Sequence, residues 1–94
     1  MRIEHWNEQR DGALTESALR RKLMDLGYRV YFLPHTHDVD KIDAVLSGRF
    51  RLTLDGEPVV LGAGDWVAVP RGVVHSAEVV GDVAVVSLDA VRPA

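Results

Sequence analysis

The chain contains no cysteine. That absence removes disulfide frameworks, iron–sulfur clusters, thiolate zinc sites and cysteine nucleophiles together. Any metal held here would be held by nitrogen and oxygen. Positive charge is not in excess: 11 Lys and Arg stand against 14 Asp and Glu, for a formal net charge of −3. That balance argues against nucleic acid as a partner. No apolar run approaches the ~18 residues that span a membrane. Residues 1–10 are polar and lack the apolar centre of a secretory signal. The expectation is therefore a cytoplasmic protein with neither a membrane nor a nucleic-acid partner. A glycine-rich phosphate loop and a G-x-S-x-G nucleophile turn are also missing.

What remains is ordinary globular material. The 94 residues are 47% hydrophobic and 27% charged, enough for one domain and one core. Two regions differ in period. Leu14, Ala18, Leu19, Leu23 and Leu26 recur at helical spacing. Thr15 is the natural N-cap and Gly27 the stop, which predicts one helix at about residues 15–26 within an N-terminal segment 1–27. Arg20, Arg21 and Lys22 then form a solvated face. From Tyr28 the signals become β. Tyr28–Leu33 is aromatic and β-branched, and Arg49–Leu54 alternates with Phe50, Leu52 and Leu54 on one face. Asp55-Gly56 is a hairpin turn signal. Val59–Leu61, Trp66–Val69, His75–Val80 and Val83–Leu88 complete the strand candidates. Their connections are too short for parallel crossovers, so residues 28–94 should form an antiparallel sandwich, barrel or jelly roll. The aromatic residues Trp6, Tyr28, Tyr31, Phe32, Phe50 and Trp66 are expected in the core or lining the barrel.

The chemistry concentrates on histidine. His35 and His37 share a face if their segment is extended, and two imidazoles so placed can converge on a cation. His75 follows a Pro70-Arg71-Gly72 turn introduced by Gly64-Asp65. Asp38 and Asp40 read as turn residues and His5 as a surface histidine.

These residues resemble the two motifs of the cupin superfamily. The first, G-x5-H-x-H-x3,4-E-x6-G, is matched by His35, His37 and Gly48. The second, G-x5-P-x-G-x2-H-x3-N, is matched by Gly64, Pro70, Gly72 and His75. The resemblance covers about Tyr28 to Asp89 and implies an all-β, antiparallel double-stranded β-helix, a jelly-roll barrel, with the N-terminal helix outside it. It departs from the family at three places: Arg29 stands at the leading glycine, Val79 at the closing asparagine, and Lys41 at the metal-ligating glutamate.

The third departure leaves three accounts open. Asp43, two residues on and on the same strand face, substitutes as the oxygen ligand beside Lys41. Alternatively, His35, His37 and His75 hold a divalent ion alone, with zinc, iron, nickel, manganese and copper all suited to such a donor set. In the third account the metal is lost, and Lys41 and the histidines bind an anionic ligand or simply form a polar network. The resemblance accordingly implies binding of a small polar or anionic molecule. Its alternatives are metal-dependent dioxygenase, isomerase or decarboxylase chemistry, and a non-enzymatic sensor or structural barrel. Small cupins commonly pair through apolar strands such as Val83–Leu88, so a homodimer is also implied.

Overall fold

The computed structural model describes residues 2–30 and 39–92. The chain runs β1 (Ile3–His5), α1 (Glu8–Asp11), α2 (Glu16–Asp25), β2 (Arg29–Val30), β3 (Lys41–Ser47), β4 (Phe50–Leu54), β5 (Glu57–Leu61), β6 (Asp65–Val69), β7 (His75–Val79) and β8 (Val86–Val91). A five-stranded sheet has the order β1-β6-β3-β8-β2, and a three-stranded sheet the order β5-β4-β7. The pairings are antiparallel. The chain is thus an all-β barrel of two sheets with a helix on one outer face.

Local rules account for the elements. Thr15 caps α2, its hydroxyl accepting from the Ala18 N–H at 3.1 Å. The helix ends where Gly27 takes φ +89°, with the Tyr28 N–H donating to the Leu23 carbonyl and the Gly27 N–H to the Met24 carbonyl. That pair of bonds satisfies carbonyls the last turn would leave open. The β4–β5 hairpin turns through Asp55 at φ +50° and Gly56 at φ +83°, the two left-handed residues that match the strands' own twist.

The strand β3 organises the packing. It lies between β6 and β8, and residues 41–45 are all buried although their side chains alternate between faces. Ile42 and Ala44 face outward beneath α2, where Leu19, Leu23, Tyr28, Trp66, Leu88 and Ala90 complete one apolar cluster. Leu19 and Leu23 are one helical turn apart, so a single stripe of α2 covers the sheet. On the other face, Val45 joins Phe50, Leu52, Leu54, Leu61, Val67 and Val69 in the barrel interior. A strand covered on both faces is the point where helix and barrel become one unit.

Two expectations from sequence are corrected. The N-terminal segment 1–27, expected to carry one helix at about 15–26 and no strand, also supplies β1, which pairs with β6 from Ile3↔Val67 to His5↔Asp65. A three-residue strand is too short to announce itself by alternation. The Trp6 N–H continues this contact, donating to the Gly64 carbonyl at 2.7 Å. Gly64 itself has φ +86°, and a Cβ there would stand 2.8 Å from the Trp6 Cβ, so only glycine fits between β1 and β6. Second, the last strand is Val86–Val91 rather than Val83–Leu88. Of Tyr28–Leu33, Arg29–Val30 forms β2, Tyr28 is buried in the cluster beneath α2, and residues 31–33 lie outside the described residues.

Candidate functional site

The inner face of β3 changes character along its length. Val45 meets other apolar side chains, whereas Asp43 and Lys41 place charge in the same interior. Lys41 is 7% exposed and Asp43 5%. Their spacing of two puts them side by side, with Lys41 Nζ 3.5 Å from Asp43 Oδ1. Asp43 faces Asp89 across the β3–β8 ladder. These groups line a cavity of about 530 Å³, together with Phe50, Leu52 and His75 among others. A volume of that size suits a small organic molecule.

His75 reaches the cavity from the opposite sheet. It begins β7 and pairs with Leu54 of β4. The preceding turn is held at several points. Gly72 takes φ +78°, the Val73 N–H donates to the Pro70 carbonyl, and the Asp55 N–H donates to the Val74 carbonyl at 2.8 Å. Asp40 adds a further tie: its Oδ1 accepts from the Arg71 N–H at 2.9 Å, while its backbone carbonyl accepts from the Arg92 N–H. Asp40 therefore fastens the turn before His75 to the start of β3. His75 Nδ1 lies 3.1 Å from the Val73 carbonyl. A carbonyl only accepts, so the Nδ1 that bonds it carries a proton. Lys41 and His75 also border a recess of about 10 Å³ beside Pro70 and Gly72, close to the room one water needs.

The electrostatics of the acidic pair follow from burial. Desolvation penalises the ionised Asp43 carboxylate, the hydrogen bond with Asp89 and the charge of Asp89 penalise it further, and Lys41 opposes both. Burial wins, and the Asp43 pKa is pushed up to about 7. A bond between two carboxyl groups needs a proton on one of them. Asp43 Oδ1 is buried and has no hydrogen-bond partner among the described residues.

The expected site residues divide cleanly. Lys41, Asp43 and His75 border one cavity. His35 and His37 lie outside the described residues, as do Tyr31, Phe32 and Asp38. His5 is an exposed histidine paired with Asp65. Asp89 is the residue that sequence reasoning missed, because the last strand was ended at Leu88, three positions before its observed end at Val91. The signal was present in the alternation of Ser87, Asp89 and Val91 against Leu88 and Ala90.

A two-sheet antiparallel barrel with this turn and this inward histidine can be set beside known proteins. A family model of the cupin domain matches residues 23–91. The chain belongs to the cupin family. A cupin-domain chain is also what its strand order and the Gly64–His75 segment describe. It is 43% identical over 44 residues to an uncharacterized protein of Aquifex aeolicus (strain VF5), a match covering 46% of this chain and 36% of that one. The chain thus spans little more than a third of that relative's length. No solved structure matches it. Among the described residues, no helix is long and apolar enough to cross a membrane.

The metal that cupins often bind can be tested against this site. Among the described residues, no group of three or more histidine or acidic side chains is arranged to hold an ion. Lys41, at the family's glutamate position, presents an ammonium that repels a divalent cation. The described donors do not by themselves suit a metal.

Proposed function

We propose that this cupin domain binds a small polar molecule inside the barrel, at the Lys41–Asp43 end of the cavity. The observation that carries the reading is a cavity of about 530 Å³ whose wall joins apolar Phe50 and Leu52 to buried Lys41 and Asp43. Burying an ammonium and a carboxyl in a barrel this small is costly unless they serve something. Charge balance favours a neutral polar ligand: Asp43 and Asp89 share a proton, so their one negative charge is already matched by Lys41, and Glu78 is paired with Arg51 at 2.5 Å. Equilibrium dialysis against a cellular small-molecule extract, read by mass spectrometry, tests this. The wild-type protein should enrich a polar compound that Ser87→Trp, which fills the cavity mouth, does not. No enrichment by the wild type overturns the reading.

A second reading places a divalent metal on His35, His37 and His75. It is supported by the motif spacing and by His75 lining the cavity, with its ring held by the Nδ1 contact to the Val73 carbonyl. In this reading Asp43 is the further candidate ligand. Metal analysis of protein purified without added metal decides it. Stoichiometric zinc, iron, nickel, manganese or copper, lost when the three histidines become alanine, supports it; metal retained in that variant sinks it. A homodimer through the apolar edge near Val79 and Val86, both exposed, belongs to the same proposal, and sedimentation at tens of micromolar tests it.

A further inference from the structure

We infer that Lys41, Asp43 and Asp89 form a subsite for adjacent hydroxyl groups on a small neutral ligand. The inference rests on the barrel-binding reading above and gives it a ligand chemistry. Asp43 is 5% exposed and borders the cavity, yet its Oδ1 has no hydrogen-bond partner among the described residues. Buried acceptors without donors are rare in folded proteins, and each requires a reason. The nearest cation does not fill the gap. Lys41 Nζ stands at 3.5 Å, where it compensates charge without making a short hydrogen bond. An ammonium has three N–H donors, so the wall offers a donor and an acceptor side by side.

The choice of partner follows by elimination. A carboxylate or phosphate approaching Lys41 also meets Asp43 and Asp89. An ammonium approaching Asp43 meets Lys41. A hydroxyl is neutral and both donates and accepts. Two hydroxyls on neighbouring carbons can place one O–H on Asp43 Oδ1 and one oxygen on Lys41 Nζ. Asp89 is a positioning residue: its cross-strand hydrogen bond to Asp43 fixes which oxygen of that carboxyl is left to a ligand. Phe50, Leu52 and Val85 line the same cavity and supply apolar contact for the carbon skeleton.

Four six-carbon probes separate the possibilities: 1,2-hexanediol, 1,6-hexanediol, hexanoate and hexylammonium. Each is titrated into the isotope-labelled chain and followed by amide and methyl shifts of the cavity residues. The adjacent diol should bind about fivefold or more tightly than the separated diol, and more tightly than either ion. Asp43→Val should weaken the adjacent diol about tenfold and leave the separated diol unchanged. Lys41→Met carries the same expectation should Asp43→Val not fold. Equal affinity for the two diols, or an adjacent diol indifferent to both variants, overturns the subsite. Preference for hexanoate or hexylammonium at the cavity residues overturns the subsite and leaves the barrel-binding reading standing. If no probe moves the cavity resonances, both fall.

Discussion

The two faces of β3 solve opposite problems. The outer face, Ile42 and Ala44, lies beneath Leu19 and Leu23 of α2 and carries no charge. The inner face begins with Lys41 and Asp43 and becomes apolar only at Val45. Both are nearly dry, so the contrast is one of content and not of exposure. The helix-covered face is packed shut and contributes stability. The inner face keeps a cavity and two buried charge-bearing groups, features that cost stability.

The most forceful way to break the comparison is to cut the same methyl groups from each side. Leu23→Ala removes a fully buried side chain from the closed face and should cost about 3–4 kcal/mol by denaturant unfolding. Leu52→Ala, equally buried but bordering the existing cavity, should cost nearer 2 kcal/mol, because its lost volume merges with space already open. Equal costs would mean that the two faces are packed alike.

Next in size is the response to pH. An unfolded aspartate releases its proton near 3.8, whereas Asp43 in the folded chain holds it to about 7. Between those values the folded state binds more protons than the unfolded state, so stability falls as pH rises and levels off above about 7. The loss should amount to roughly a few kcal/mol. Asp43→Val should remove that slope, as read by denaturant unfolding from pH 4 to 8, while weakening the hydroxyl subsite about tenfold. A wild-type stability that stays flat from pH 4 to 7 would show that burial does not hold the proton.

Asp40→Ala sharpens the comparison at the barrel's end. It deletes the bond to the Arg71 N–H and should cost about 1 kcal/mol. Amide exchange at Arg71 should accelerate while the α2 amides stay protected; unchanged exchange there would make the tie unimportant to the His75 turn. The smallest effect belongs to the outer surface of the small sheet. Arg51 and Glu78 pair across β4 and β7 in solvent, and Arg51→Ala should change stability by less than about 1 kcal/mol.

Much of this was legible along the chain. The helix of Leu19 and Leu23, its Thr15 cap, the Asp55-Gly56 turn and the Phe50–Leu54 alternation all depend on residues close in sequence. Their conformational preferences do not wait for a partner. The same holds for the spacing of Lys41 and Asp43, since residues two apart on a strand share a face.

What the sequence could not decide depended on neighbours from elsewhere in the chain. β1 exists because β6 offers it an edge, and three residues carry too little pattern to be seen alone. Asp89 belongs to the site only because the β3–β8 register sets it against Asp43, a pairing of residues 46 positions apart that no local period encodes. Its strand was ended at Leu88 for the same reason: where a strand stops is decided by its partner's length. Burial is likewise a property of the assembled barrel. By themselves Lys41 and Asp43 are two charged residues on a strand. Their place on the inner face of β3, between β6 and β8 and opposite the second sheet, removes them from water. That desolvation raises the Asp43 pKa and leaves its oxygen in need of a donor.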